Sequence, residues 1–349
     1  MALDFSKAFD LVPHTILIEK LIKYNIDPVL VRWIHALVSG RSQRVVLVLN
    51  GCMSKSVPVT SGVPQGSVLG PVLFLVFIND IVDVVRHCTI KLYADDTLLY
   101  MPITSTEDCD LLQQDLDALH DWSKQNHMRF NACKSYFTVF STGKCRYNEP
   151  NYHIGGASIQ STRSIKYLGV LLQGDLHWDG HISSVVSRAS RVLGLMRSVL
   201  YDAPPKVKMV AYVTLCRPIL EYASAVWDPY VKKLTYDLEI IQNKAIRFIF
   251  SVKGRDTSIS TIKESNNIST LQDRRKSHRI CMLLNILENE NLHPSLSDVL
   301  TEMLSKSHMC TRNRSFNSIY CRTNIFLNSF LPRTARDLRA GEEGAERSD

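Results

Sequence analysis

Residues 89–100 read Thr-Ile-Lys-Leu-Tyr-Ala-Asp-Asp-Thr-Leu-Leu-Tyr, an apolar run interrupted only by Asp95 and Asp96. β-Branched and aromatic residues on both sides of a two-acid break predict a hairpin that carries both carboxylates at its turn. Upstream, the longest apolar stretch, Val68 to Ile78, is closed by Asn79, Asp80 and Asp83. It predicts a helix from about Pro71 to Val85 and is too short to span a bilayer. Before it stand a glycine- and proline-rich loop, Gly62-Val63-Pro64-Gln65-Gly66, and two strand-like runs, Arg44 to Leu49 and Val57 to Thr60, around an Asn50-Gly51 turn. Helical spacing of Ile16, Leu17, Leu21 and Tyr24 predicts a helix over Pro13 to Tyr24, and a second amphipathic stretch runs from Asp27-Pro28 to Ser39-Gly40. Met-Ala-Leu-Asp-Phe at 1–5 reads as the end of a strand whose beginning is absent, since strands usually run about five or six residues.

Downstream, Thr106 to Asn126 predicts a helix that begins with Thr106-x-x-Cys109 in place of a capping box, with Asp108 and Asp110 at the positive end of its dipole. Tyr136 to Phe140 and Ile165 to Leu172 read as further strands. After His177 the pattern is helical: His181 to Leu200, Pro205 to Cys216, Lys232 to Phe250 and Leu271 to Leu287. Residues 301–349 are polar and Arg-rich, and Gly341 to Asp349 reads as a disordered tail. Strands and helices are thus mixed up to about residue 175, and the remainder is mostly α-helical.

The 349 residues are 45% hydrophobic and 21% charged, the balance of a globular protein rather than a disordered, collagenous or coiled-coil one. No apolar signal core follows Met1, which points to an intracellular protein with reduced cysteines and no membrane segment. The net charge of +7 is uneven. Residues 1–180 carry 16 Lys and Arg against 17 Asp and Glu, whereas 181–349 carry 25 against 17, which suits either a polyanionic partner or a well-solvated helical surface.

Three acids invite a joint reading: Asp4 at a strand end, and Asp95 with Asp96 at a hairpin tip. A strand-borne carboxylate facing a two-acid turn can cradle Mg²⁺ while leaving positions open for phosphate and water. Two such ions about 3.5–4 Å apart can activate an attacking oxygen and stabilise a leaving one. An isolated Asp-Asp pair is otherwise a solvated turn; here Ile90, Leu92, Tyr93, Leu98, Leu99 and Tyr100 enclose it.

Leu3-Asp4-Phe5-Ser6-Lys7-Ala8-Phe9-Asp10, Gly62-Val63-Pro64-Gln65-Gly66-Ser67 and Tyr93-Ala94-Asp95-Asp96, in that order, resemble the palm motifs of reverse transcriptases, in detail those of non-LTR (LINE-type) retrotransposons. Phe-Leu-Pro-Arg-Thr at 330–334 resembles a segment found near the end of such polyproteins. The resemblance implies an α+β fold: a palm with a central antiparallel sheet and packing helices over residues 1–175, a mostly α-helical thumb or connection over 176–300 and an Arg-rich C-terminal segment over 301–349. It also implies an RNA-directed DNA polymerase that uses two Mg²⁺ ions, an RNA template, a DNA primer and deoxynucleoside triphosphates.

Carried over position by position, Asp4, Asp95 and Asp96 would hold the metals with the Phe5 carbonyl beside them. Phe9 would floor the sugar of the incoming nucleotide, though a Phe there is also ordinary core. Gln65 and Gly66 would contact nucleotide and template. Asn131 and Lys134 match the motif after the palm helix, with Lys134 near the triphosphate as a proton donor to pyrophosphate; a solvated lysine is the alternative. Tyr167-Leu168-Gly169-Val170, followed by Trp178, resembles the hairpin that grips the primer, which assigns Leu168 and Gly169 to that grip. Asp10 is given a structural or capping role and Trp122 a core one. The resemblance also implies a fingers segment and an endonuclease ahead of the first acid, so the expectation is a truncated polymerase. Its rivals are an inactive remnant that binds nucleic acid, and a two-metal nuclease, which has no use for Phe9 or the Gln65-Gly66 loop. The His278-x-x-Cys281 pair and the His308, Cys310 and Cys321 group lack the spacing of structural zinc. Arg274, Arg275, Lys276 and Arg279, with Lys232, Lys233, Lys244, Arg247, Lys253 and Arg255, offer either phosphate contacts or a soluble helical surface.

Overall fold

The computed structural model describes residues 1–47, 51–141, 150–252, 254, 257–289 and 319–346. The chain divides into two compact units, 1–175 and 176–349.

The first unit is built on the 89–100 hairpin. In chain order its strands are β1 (Ala2–Leu3), β2 (Ser42–Gln43), β3 (Val57–Pro58), β4 (Thr89–Tyr93), β5 (Asp96–Tyr100), β6 (Tyr136–Phe137), β7 (His153–Ile154), β8 (Ala157–Ser158), β9 (Gln160–Ser161), β10 (Ser164–Tyr167) and β11 (Val170–Gln173). The main sheet has the order β4-β5-β1-β6-β9. Period-2 alternation puts Thr97 and Leu99 in the core while Tyr93, Asp96 and Tyr100 face out. The tip is therefore less enclosed than its apolar neighbours suggest. Short as it is, β1 is clamped on both sides, with Leu3 opposite Thr97, Ala2 opposite Leu98, and Ala2 also opposite Tyr136. The Met1 amino group extends this pairing by donating to the Leu99 carbonyl at 2.6 Å.

The sheet is mixed rather than purely antiparallel. β6 pairs with β9 in parallel, because the chain between them turns back through the β7–β8 hairpin and re-enters in the original direction. The strand expected over Tyr136 to Phe140 is confined to its first two residues. Ile165 to Leu172 is a hairpin, β10–β11, rather than one strand, with positive φ at both turn residues, Leu168 and Gly169. β3 falls in the expected Val57 to Thr60 run, but its partner β2 is Ser42–Gln43, just before the strand expected over Arg44 to Leu49, and Asn50 lies outside the described residues.

Among the described residues five α-helices complete this unit: α1 (Ala8–Leu11), α2 (His14–Lys23), α3 (Pro28–Val38), α4 (Leu69–Ile78) and α5 (Thr106–Gln125). α4 buries Leu73, Phe74, Phe77 and Ile78 and tightens into a 3₁₀ turn over Asn79–Val84, where the expectation was one helix to Val85. α5 buries Leu112, Leu116, Leu119 and Trp122 in the same core as Leu3, Phe5 and Leu17. Its first turn is capped by Asp108, whose carboxylate accepts from the Thr104 and Ser105 backbone N–H groups, so the cap spans Ser105 to Asp108 rather than Thr106 to Cys109. Trp122 is core, as its position implied, and donates its indole N–H to Asp80 at 3.0 Å. That carboxylate also takes the buried Lys20 ammonium at 2.7 Å, and Lys20 lies over the Phe77 and Trp122 rings.

The second unit comprises α6 (Asp179–Val199), α7 (Pro205–Ala211), α8 (Arg217–Glu221), α9 (Ser224–Trp227), α10 (Lys232–Ile249), α11 (Ile259–Ser265), α12 (Leu271–Glu288), α13 (Asn324–Leu327) and α14 (Phe330–Glu346). Its long helices fall where the 3.6-residue period placed them. The helix α14 continues through 341–346, where a disordered tail was expected; three Glu residues and one Ala there, against two Gly, sustain a helix already nucleated upstream. Among the described residues no helix is long and apolar enough to cross a membrane.

Candidate active site

The register that clamps β1 also aims Asp4. Leu3 faces Thr97, so the next position on β1 comes opposite Asp96 at the start of β5, one residue from Asp95 in the turn. Residues 92 positions apart in sequence thereby meet at one sheet end. Beyond β1 the chain is held by the 129–135 segment. Phe5 bridges Phe130, Asn131 N–H donates to the Asp4 carbonyl at 2.8 Å, and Asp4 N–H donates to Ser135 Oγ at 3.2 Å. Ser135 Oγ donates in turn to the Asn131 carbonyl at 2.9 Å, closing a small ring around the Asp4 backbone.

The electrostatics show which side chains share this space. Burial pushes the Asp4 carboxyl up, the Lys134 ammonium pulls it back, and Asp95 pushes it further up. Asp96 is also raised, first by burial and then by Asp95 and Asp4. The Tyr167 phenol is raised by burial and by Asp96, which brings the β10–β11 turn to the same place. Three carboxylates, one lysine and one tyrosine are thus gathered, and the acids repel one another. Among the described residues no group of three His, Cys, Asp or Glu closes into a metal cage. The donor chemistry nevertheless suits a hard divalent cation: oxygen ligands that sense each other's charge, on an exposed tip with room for water and phosphate.

The 62–66 loop is fastened to the segment that follows Asp4. Gly62 N–H donates to the Val12 carbonyl at 2.8 Å and Val63 N–H to the Phe9 carbonyl at 2.9 Å. Gly62 sits at φ +92°, and a Cβ there would lie 2.9 Å from the Asp10 carbonyl oxygen, so only glycine allows this approach. The exposed Gln65 is held by its amide, which donates to Asp10 Oδ1 at 2.7 Å. Gly66 has φ +80° and open space around it. Asp10, given a structural role from sequence, has a definite one: it anchors Gln65. Phe9 is half-buried with one ring face stacked on Phe74 at 4.3 Å. The Phe5 ring lies in the core, stacked on Phe130 at 4.2 Å, so only its backbone can face the acids. Sequence reasoning missed Ser135 and Tyr167, and the Tyr167-Leu168-Gly169 run was the available signal for the second.

The basic cluster of the second unit is not a free surface. Arg275 and Arg279 are buried, and their Nε groups bind Asp228 at 2.6 and 2.9 Å. Arg279 also binds Asp337 at 2.7 Å, and Arg333 binds Asp228 at 3.2 Å. Arg274 pairs with Glu221. These arginines join α12 to the α9 end and to α14, and the Phe-Leu-Pro-Arg-Thr stretch supplies two of the partners, Arg333 and Thr334. Phosphate contacts are thereby withdrawn for Arg274, Arg275 and Arg279, whose charge is spent internally. Lys232, Lys233 and Lys244 remain exposed, while Lys253 and Arg255 lie outside the described residues. His278 Nδ1 lies 3.2 Å from Ser224 Oγ, and Cys281 is exposed; His308 and Cys310 lie outside the described residues.

Residues 1–172 match the family model described as reverse transcriptase (RNA-dependent DNA polymerase). The chain belongs to the reverse transcriptase family. Among its curated relatives is the RNA-directed DNA polymerase from mobile element jockey of Drosophila funebris, 30% identical over 71% of this chain and 28% of the relative. The jockey polymerase of Drosophila melanogaster is 29% identical over 84% of this chain and 32% of its own length. A probable RNA-directed DNA polymerase from transposon BS of the same fly is 28% identical over 82% and 33%. These matches extend beyond residue 172 into the helical unit and agree with a reverse transcriptase of the non-LTR retrotransposon kind. The chain spans about a third of the length of these relatives.

Proposed function

We propose that this chain forms the palm and thumb of an RNA-directed DNA polymerase that adds deoxynucleotides to a primer 3′-hydroxyl on an RNA template. The observation that carries the reading is the meeting of Asp4, Asp95 and Asp96 at one sheet end with Lys134 beside Asp4. Asp4, Asp95 and Asp96 would hold two Mg²⁺ ions; bound there, the metals lower the pKa of the attacking hydroxyl and neutralise charge on the transferring phosphate. Lys134 stands on the triphosphate side as proton donor to the departing pyrophosphate. Gln65, fixed by Asp10, and Gly66 form the surface against which nucleotide and template lie. Phe9, its far face covered by Phe74, limits the space under the sugar. Leu168 and Gly169, in a tight turn whose Tyr167 senses Asp96, hold the primer end. Residues 1–175 are the palm in this reading, 176–300 the thumb or connection and 301–349 a C-terminal segment.

Primer extension on an RNA template with Mg²⁺ tests this, comparing the chain with Asp95→Ala. Incorporation that disappears in the variant supports the polymerase. A second readout is independent of turnover: Mn²⁺ titration followed by electron paramagnetic resonance shows ion uptake in the wild type and its loss in Asp4→Asn. Absence of extension in both chains, with salt-sensitive RNA binding retained, would instead favour a nucleic-acid-binding remnant.

A further inference from the structure

A cleft of 510 Å³ opens in the first unit between the C-terminal end of α5, the 127–132 segment and the β7–β8 hairpin. Every ionisable side chain that lines it is a cation or a histidine: His120, Lys124, His127 and Arg129. His120 and Lys124 are one helical turn apart and share a face of α5, while His127 follows just beyond the helix end with a left-handed backbone. The row from residue 120 to 127 is about 10 Å long at a rise of about 1.5 Å per residue. Arg129 adds a further charge from the other wall. Its neighbour Phe130 turns into the core against Phe5, and alternation along this extended segment sends Arg129 outward, where it is exposed.

These side chains have little else to do. Lys124 makes one exposed i,i+3 pair with Asp121 at 3.5 Å, a contact worth little in water. Among the described residues the Arg129 guanidinium and the His127 ring have no hydrogen-bond or ion-pair partner. The walls themselves are firm. The His120 ring sits so close to Gly155 that a Cβ there would lie 2.4 Å from it, and Gly155 takes φ +60° to make room. The 129–131 wall is tied to the catalytic strand, since Ser6 N–H donates to the Arg129 carbonyl and Asn131 N–H to the Asp4 carbonyl, each at 2.8 Å.

A basic row in a rigid cleft, with no carboxylate in its lining, complements phosphate. Because the row is elongated and open rather than convergent, it suits successive phosphodiesters of a strand better than one compact anion. We propose that this cleft binds the phosphate backbone of a single RNA strand, with Lys124 and Arg129 as its charged contacts. The hydrogen bonds from 129 and 131 to Ser6 and Asp4 then fix the strand's position relative to the carboxylates. The choice of RNA rests on the polymerase reading; the phosphate chemistry does not.

Binding of a fluorescein-labelled single-stranded RNA, followed by anisotropy across a salt series, tests the cleft separately from catalysis. Lys124→Ala/Arg129→Ala should reduce the slope of log K against log salt by about 1.4, at roughly 0.7 for each phosphate left without its cation. Lys23→Ala/Lys55→Ala, at exposed lysines elsewhere in the unit, should leave it unchanged. Lys124→Arg/Arg129→Lys keeps both charges and should restore the slope, which guards against a folding defect in the alanine variant. Asp95→Ala should bind RNA as the wild type does, so a failed polymerase would not imitate a failed cleft. An unchanged slope in the double alanine variant overturns the proposal. Displacement of the RNA by equimolar pyrophosphate would overturn the strand in favour of a small polyphosphate.

Discussion

Replacing Asp228 by Ala removes the acceptor shared by three arginines and asks what the basic residues of α12 are for. The Asp228 side chain is 3% exposed and receives Arg275 Nε, Arg279 Nε and an Arg333 amino group. Arg279 keeps Asp337 when this carboxylate is lost, and Arg333 keeps the Asp228 backbone carbonyl at 2.8 Å. Arg275 keeps nothing: it is fully buried, and both of its terminal nitrogens already lack partners. Breaking a buried ion pair from one side costs about 3–5 kcal/mol, and we expect about 4 kcal/mol here because one of three guanidiniums is stranded outright. With a urea m-value of about 2 kcal/mol per molar, the unfolding midpoint of the second unit should fall by about 2 M. Urea titration followed by far-ultraviolet circular dichroism measures this, and Trp227, next in sequence and fully buried, gives a local fluorescence signal. RNA affinity of the folded variant should be unchanged, whereas Lys232→Ala/Lys233→Ala should lower the salt slope of RNA binding and leave the midpoint alone. A midpoint shift below about 0.5 M, accompanied by weaker RNA binding, would refute the reasoning and return these arginines to phosphate.

Three further outcomes follow from the same structure. Asp80→Ala leaves the buried Lys20 ammonium without its counter-charge, with only the Phe77 carbonyl as acceptor, and strands the Trp122 N–H; it should destabilise the first unit by about 3 kcal/mol in thermal unfolding. Lys20→Met/Asp80→Leu, which removes both charges, should lose less, and an equal or larger loss counts against a stranded charge. Burial lowers the Met1 amino group from 8.0 to about 6, so the unfolded chain binds more protons between those values and stability rises with pH across that window. The gain is about 3 kcal/mol, and a chain acetylated at Met1 should lose this rise, keeping only the smaller one below about pH 6.5 that the buried His181, itself lowered, supplies. Burial pushes the Cys88 thiol up to about 12 and Cys216 up to about 11, while Cys52, Cys133 and Cys281 are exposed. Iodoacetamide at pH 8 should therefore label the exposed three first by mass spectrometry, and equal rates would contradict the burial.

How much of this was legible in the sequence depended on the range over which each feature is decided. The 89–100 hairpin is local: a β-prone run and a two-acid break fix strands and turn within twelve residues, and the structure follows them, although Tyr93 and Tyr100 face out. The helices of the second unit were equally local. The pairing of Asp4 with the hairpin rested on donor chemistry and the motif resemblance rather than on local pattern, because β1 is two residues long and its partner lies some ninety residues away. The parallel β6–β9 contact was not reachable, since a connection's path decides it rather than the strands' own composition. The cap of α5 slipped by one residue for a simpler reason: Asp serves at the third helical position as Glu does, and Ser105 precedes Thr106 in a run where either could cap.

The misreading of the α12 arginines is more instructive, because the sequence did hold its correction. Leu271, Arg275, Arg279, Leu283 and Ile286 fall at spacings of four, four, four and three, which is one stripe of a helix. Two arginines on a stripe that begins and ends in buried aliphatic residues share the buried face with them, and a buried guanidinium requires a carboxylate. Arg274 and Lys276 fall off that stripe, so a run of four basic residues within six positions splits into a buried pair and a rim. Net charge counts all of them alike. Once the internal pairs with Asp228, Asp337 and Glu221 are set aside, exposed basic residues of the second unit remain on α6, α7 and α10, and the phosphate site argued from geometry lies in the nearly neutral first one. The surplus of charge in residues 181–349 therefore says less about where nucleic acid binds than four side chains gathered around one cleft.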